Sequence, residues 1–377
     1  MSGDHDHAHD AEPRARFVYD EWMESTGVPI HTGYFISDLR TVDLGWWEQR
    51  RCNTAFVQLE GQEGVSETRI TEIPPGATLP AYKIGIDEIV YVLMGNGSTL
   101  VTDGNDHQDA FEWSTRAMFL VPANTTRRYR NLGNEPVRLV HYTYLPLALS
   151  VVADPAFFLD NPYQLPARHA EGTATDPYSA AVTFDGGQGY RWINGQRGDG
   201  VPYWYGRLFP DMSAWDDFED NDERGIGSKS VRLQFAGTDM SAHMSIFEPR
   251  TYKKGHRHGP GRAIFIPGGE GYSVMWPEGG EKVVIRWHEG SMFVPPNRWF
   301  HQHFNLGEKP GRYLAIHPPI QLHGYSEKAV NKTDQIEYHA EDPEIRELFE
   351  KELAERGLTS LMGDDLYAAR TREGSVG

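Results

Sequence analysis

Between Thr68 and Leu145 the chain is a succession of short β-branched and aromatic runs. Turn signals cut them at Pro74-Pro75-Gly76, Gly95-Asn96-Gly97, Asp103-Gly104-Asn105 and Asn131-Leu132-Gly133-Asn134. Regularly spaced short strands with such turns predict a β-sandwich or barrel. A second block, from His243 to His317, has the same pattern. Ahead of the first block, from Phe17 to Glu60, aromatics (Trp22, Tyr34, Phe35, Trp46, Trp47) mix with short β-like runs and predict an arm or lid. Near the other end Ile345, Leu348, Phe349 and Leu353 recur at helical spacing in a charged background, so an amphipathic helix is expected within Glu341 to Leu361. Its acidic start, Glu341, Asp342, Glu344 and Glu347, favours packing on a barrel or another subunit over an anionic lipid surface. Residues 1 to 15, with His5, His7 and His9 among aspartates, lack apolar periodicity and are expected to be a disordered, solvated tail.

The two blocks are copies of one another. Pro75 and Pro249 differ by 249 − 75 = 174, and the same offset relates Gly95 to Gly269, Gly97 to Gly271, Trp113 to Trp287, Pro122 to Pro296 and Asn131 to Asn305. A register held without a gap from the first turn to the last strand marks a tandem duplication. The chain then divides into a tail (1–15), a first barrel (16–150), a connecting segment (151–225), a second barrel (226–330) and a tail carrying the helix (331–377). The connecting segment, rich in Pro, Gly, aromatic and acidic residues from Ala153 to Arg224, is expected to wrap the barrels in an ordered way.

Composition narrows the chemistry. The 377 residues allow two domains, and 39 Gly with 24 Pro favour turns over long helices. A formal charge of −18 offers no basic stripe for nucleic acid or anionic lipid, which directs attention to small molecules. The single cysteine, Cys52, forms no internal disulfide, no apolar stretch reaches spanning length, and the N-terminus has no signal-peptide pattern; a cytoplasmic protein is expected.

Candidate chemistry concentrates in the second block. In Gly255-His256-Arg257-His258 the two histidines stand at i and i+2, on one face of a strand, and a third, His301, follows the turn at Pro295-Pro296. Three neutral imidazoles with open positions suit Fe(II), Zn, Ni or Cu. His303, two residues beyond His301, is placed in a pocket role, orienting another imidazole or handling a proton, with direct ligation as the second possibility. Arg262, between the His pair and the next turn, either holds a carboxylate through a two-pronged hydrogen bond or pairs with a surface anion. The pocket wall is expected to draw on Ile264, Ile266, Met275, Trp276, Phe293 and Trp299, with Trp299 foremost because it shares the alternation of His301 and His303.

Each block resembles a cupin, the small jelly-roll barrel also called a double-stranded β-helix. The family pattern is matched in the second block by Pro249, His256, His258, Gly269, Gly271, Pro296, His301 and Asn305, with Arg262 where the family has a glutamate ligand and Arg298 in place of a later glycine. The first block matches through Pro75-Gly76, Glu88, Gly95, Gly97, Pro122 and Asn131, but its ligand positions hold Tyr82, Ile84 and Arg127. That barrel is expected to be structural, with Arg127, Arg128 and Arg130 as a weaker anion-binding possibility. The resemblance implies an all-β fold of tandem barrels with short flanking helices, and a homo-oligomer. Its two-barrel members include gentisate, salicylate and hydroxynaphthoate ring-cleaving dioxygenases, which use a three-His iron site. By that likeness His256, His258 and His301 hold Fe(II), a hydroxylated aromatic carboxylic acid chelates it beside O2, Arg262 steadies the carboxylate, Trp299 and Trp276 contact the ring, and His303 moves a proton. Those gentisate-type enzymes usually keep their working iron in the N-terminal barrel, unlike this chain. Two other readings stand beside it: a non-redox Zn, Ni or Mn lyase, hydrolase or isomerase, and a non-catalytic protein that binds a small acid.

Overall fold

The computed structural model describes residues 17–163, 176–184, 203–213, 219–220, 224–319 and 334–368. The His/Asp-rich tail and much of the connecting segment lie outside them. Strands dominate, and each repeat folds its strands into two sheets that face one another. In the first, an eight-stranded sheet is covered by a four-stranded sheet built from Tyr82–Lys83, Asn96–Thr102, Gln108–Ser114 and Thr126–Asn131. In the second, a nine-stranded sheet is covered by a five-stranded one containing Gly255–His256, Glu270–Trp276, Val283–His288 and Phe300–Asn305. This is the tandem double-stranded β-helix that the repeat implies.

The duplicated turn residues have matching structural duties. Asn131 donates from Nδ2 to the carbonyls of Ile73 (2.9 Å) and Glu135 (2.8 Å) while its Oδ1 accepts from Gly133 N at 2.8 Å. Asn305 makes the corresponding bonds to Phe247 O (3.3 Å), Lys309 O (2.8 Å) and Gly307 N (2.9 Å). Each asparagine thereby ties the small sheet to the large one and satisfies buried backbone groups that would otherwise be costly. Gly271 is required by close approach, since a Cβ there would meet the Trp287 ring at 2.7 Å and also collide with the Phe304 carbonyl.

Side-chain alternation splits the apolar residues into separate cores. Phe111, Trp113, Phe119 and Tyr129 fill the first barrel, whereas Phe247, Ile264, Met275, Phe293 and Tyr313 line the second. The outward faces of the two large sheets share a third core, in which Ile70, Tyr91 and Met118 of one barrel join Leu233, Phe265 and Leu314 of the other. The repeats also exchange arms. Phe35–Ile36, ahead of the first barrel, pairs with Met292–Phe293 of the second, and Leu208–Phe209, from the connecting segment, pairs with Met118–Phe119 of the first. Of the stretch expected as an arm or lid, Phe35–Ile36 joins the opposite barrel's sheet, whereas Ile30–Gly33, Gly45–Trp47 and Cys52–Leu59 belong to the first barrel's own.

The expected C-terminal helix spans Pro343–Ala354. Asp342 caps it by accepting from Glu344 N, and Pro343 suits the first turn, where its missing N–H costs nothing. Ile345, Phe349 and Leu353 are buried against Tyr252, Tyr272 and Phe304 on the outer face of the small sheet of the second barrel. Full burial of each such side chain is worth about 1.5–3 kcal/mol.

Candidate metal centre

His256 and His301 are direct partners across the strands Gly255–His256 and Phe300–Asn305, and His258 follows two residues on. One ligand atom from each of His256, His258 and His301 lies within 4.8 Å of the others, and all three residues are buried. The backbone sets their orientation. His258 Nδ1 donates to Gly259 O at 2.7 Å, His301 Nδ1 to Trp299 O at 3.1 Å, and His256 Nδ1 to Lys254 O at 3.5 Å. With Nδ1 protonated, each ring keeps its Nε2 lone pair for a ligand. His301 Nε2 is buried with no hydrogen-bond partner among the described residues, the state of a donor atom reserved for a cation.

Protonation agrees with this geometry. Burial drives His256 and His258 well below the ordinary histidine range, helped at His256 by Arg224 and His301 and at His258 by Arg262 and His301. His301 falls to about 3, mainly through burial, against the raising effect of its bond to Trp299. All three are therefore neutral and ready to ligate at physiological pH. The cluster contains no Asp, Glu or Cys among the described residues, so a bound divalent metal would retain its full charge. These residues fit a divalent first-row metal: three imidazoles, outer hydrogen bonds to carbonyls, and a buried surround.

His303 stands behind the triad, its ring centre 5.5 Å from that of His301. Trp287 Nε1 donates to Ser273 Oγ at 3.0 Å, and Ser273 Oγ lies 2.8 Å from His303 Nδ1. The direction of the serine–histidine bond follows the imidazole tautomer: with the hydroxyl donating to Nδ1, the His303 proton stands on Nε2. Arg262 is half-buried just ahead of strand Ala263–Gly268 and contributes positive charge at His258 and His301. Trp299 is half-buried beside the apolar lining of this barrel, with its ring centre 5.7 Å from Tyr34 of the N-terminal arm.

Trp276 is not brought to this wall. Met275 pairs with His301 and faces inward, so Trp276, one residue on, points the opposite way and stacks on Phe300 at 5.8 Å beside the C-terminal helix. The sequence reading also passed over Arg224. Its carbonyl accepts from Lys254 N at 3.0 Å, its Nη1 donates to Gln335 Oε1 at 3.3 Å, and its charge acts on His256 and His301. An arginine in a connecting segment carries no sequence signal that aims it at the site.

The first barrel fills the corresponding space with protein. Glu88, at the position of Arg262 in the repeat, is fully buried and contacts Arg69 at 3.1 Å, Arg127 at 3.4 Å, Tyr129 OH at 3.1 Å, Tyr82 OH at 3.3 Å and His141 Nδ1 at 3.2 Å. Burial alone would raise this carboxyl, but the charges of His141, Arg127 and Arg69 outweigh it and hold Glu88 well below the usual carboxylate range. Tyr82 and Arg127 occupy the places of His256 and His301. A cavity with room for about one water remains beside His141 and Arg69. Arg128 and Arg130 alternate outward and are exposed, so of the three arginines only Arg127 enters the barrel.

No family model matches the sequence, and no curated protein matches it either. Solved structures do. An oxalate decarboxylase from Lactobacillus farciminis in complex with formate is 12% identical, covering 76% of this chain and 86% of that one, with a TM-score of 0.46. A variant of the Bacillus subtilis oxalate decarboxylase is 11% identical over 89% of this chain and 86% of that one, with a TM-score of 0.48. At these values the architecture rests on the sheets and repeat described above, and no residue role is carried over. Among the described residues no helix is long and apolar enough to cross a membrane.

Proposed function

We propose that the second barrel is a mononuclear metal enzyme site acting on an anionic, chelating carboxylic acid, and that its native form is an Fe(II) dioxygenase for a hydroxylated aromatic acid. The observation that carries the reading is the donor set: three buried, neutral imidazoles with no carboxylate among the described residues, flanked by the positive charges of Arg224 and Arg262. An uncompensated dication beside guanidinium groups selects an anion.

His256, His258 and His301 would hold the metal, which when bound supplies the redox contact between a chelated ring and O2 that ring opening requires. The chain's own residues do the rest. Arg262 engages the substrate carboxylate, Trp299 offers a ring face, and His303 presents Nε2–H to an oxygen that gains negative charge. The buried surround excludes water and strengthens each of these interactions. Association of copies into a homo-oligomer in the cytoplasm belongs to the same reading.

The test is anaerobic Fe(II) reconstitution followed by oxygen uptake against a panel of hydroxylated aromatic acids. Substrate-dependent uptake with about one iron per chain supports the dioxygenase. Purified protein that carries Zn, Ni or Mn and consumes no oxygen after iron loading transfers the assignment to a non-redox lyase, hydrolase or isomerase at the same histidines. A metal-free protein that still binds an acid makes it a binding protein.

A further inference from the structure

Lys253 lies inside the second barrel and is only 2% exposed. Its ammonium donates to Ser245 Oγ and, at 3.3 Å, to Tyr313 OH, and sits 4.9 Å from the centre of the Tyr313 ring. Ser245 and Tyr313 face each other directly across the strands Ser241–Phe247 and Gly311–His317. A buried ammonium ordinarily has an anion beside it, yet among the described residues no carboxylate forms an ion pair with Lys253.

The fold does not require these polar groups. At the repeat offset of 174 the first barrel has Leu79 for Lys253 and Leu139 for Tyr313, both buried in its apolar core. Where the first barrel has a leucine pair, the second has a lysine and a tyrosine one ring beyond His303, whose ring centre is 5.0 Å from that of Tyr313. We propose that Lys253 and Tyr313 stand as an ammonium–phenolate pair, giving the second barrel a proton acceptor of its own behind the metal centre.

The surroundings favour that ionisation. Arg224 adds positive charge at Tyr313 and favours its phenolate, whereas Arg224 and Arg232 act against the Lys253 ammonium, which the adjacent phenolate stabilises. The neighbouring His303 and His243, the latter 5.7 Å from Tyr313 between ring centres, are held neutral chiefly by burial. Burial raises the Tyr313 hydroxyl, but Lys253 and the bond to Ser245 bring it below its ordinary value; Lys253 is itself lowered by burial. Under the function proposed above, the pair takes up the proton that a ligand hydroxyl releases on becoming an anion. The ligand O–H bond breaks, the Tyr313 O–H bond forms, and no electrons are exchanged.

The ionisation is tested on full-length, metal-free protein, so its failure is distinct from failure of the functional reading. The near-ultraviolet phenolate band is followed with pH in the wild type, Tyr313→Phe, Lys253→Met and Ser245→Ala. The wild type minus Tyr313→Phe difference should show one tyrosine already ionised at neutral pH, its midpoint about three pH units or more below the ordinary value of about 10. Lys253→Met, an apolar change like the leucine of the first barrel, should move that midpoint up by more than about one unit, and Ser245→Ala by less. A Tyr313 that is protonated at neutral pH, with its midpoint less than about three units below the ordinary value, overturns the proposal, as does a midpoint that neither variant moves.

Discussion

Replacing Glu88 by alanine tests the claim that the first barrel is built around an internal ion network. The carboxylate is fully buried, Arg127 is fully buried with it, and Arg69 has 4% side-chain exposure. Arg69 retains Glu67 at 3.0 Å, but among the described residues Arg127 keeps a bond to Pro122 O at 3.1 Å and a contact with the Tyr82 ring, and no carboxylate. Removing one partner of a buried pair leaves an uncompensated charge and costs about 3–5 kcal/mol. The hydroxyls of Tyr82 and Tyr129 lose their acceptor as well. Urea denaturation followed by circular dichroism should therefore show a loss of about 3–5 kcal/mol for Glu88→Ala. The double variant Glu88→Leu/Arg127→Leu should lose less than the single one, because an apolar pair leaves no buried charge. A single-variant loss below about 1 kcal/mol, the size of an ordinary hydrogen bond, would refute the network's role. Metal content should be unchanged, since the triad belongs to the other barrel.

Three further outcomes follow from the packing around the second barrel. Burial raises Glu341 to about 7, against the bonds it accepts from Tyr252 OH and Gln302 Nε2. The folded state thus binds more protons than the unfolded one, and this group's contribution to stability is lost as pH rises from about 4.3 towards 7; in thermal melts across that window Glu341→Gln should have a shallower pH slope than the wild type. Phe349→Ala empties a fully buried site between Tyr252 and Phe304, and should cost about 3–5 kcal/mol in chemical denaturation. Trp299→Ala should weaken binding of an aromatic acid measured by calorimetry, whereas Trp276→Ala should lower stability and leave that affinity unchanged.

Much of this was legible in the sequence, for identifiable reasons. The 174-residue offset survives because Gly97 and Gly271, Asn131 and Asn305, and Trp113 and Trp287 are held by close packing or buried hydrogen bonds in both barrels. The His pair and His301 were recognisable from their spacing in the repeat; His256 pairs with His301 across two strands, whereas His258 lies just past the strand Gly255–His256 and is oriented by its bond to Gly259 O. The exchanged arms were not recognisable. Ile30 and Tyr203 occupy equivalent places beside their own barrels, but their offset is 203 − 30 = 173, and the next strand of each arm, Phe35–Ile36 or Leu208–Phe209, pairs in the other barrel. Trp276 was misplaced because a shift of one residue moves a strand side chain to the opposite face. Arg224 and the Lys253–Tyr313 pair come together through tertiary structure, from a loop, a strand approach and a distant strand.

The most direct test of the central claim is metal stoichiometry on untagged protein and on single alanine variants, by elemental analysis. About one metal per chain is predicted for the wild type and for His303→Ala, with loss in His256→Ala, His258→Ala and His301→Ala. Wild-type protein that cannot be loaded with Fe, Mn, Ni or Zn, or a His256→Ala variant that keeps full occupancy, would contradict the assignment of the second barrel as a metal centre.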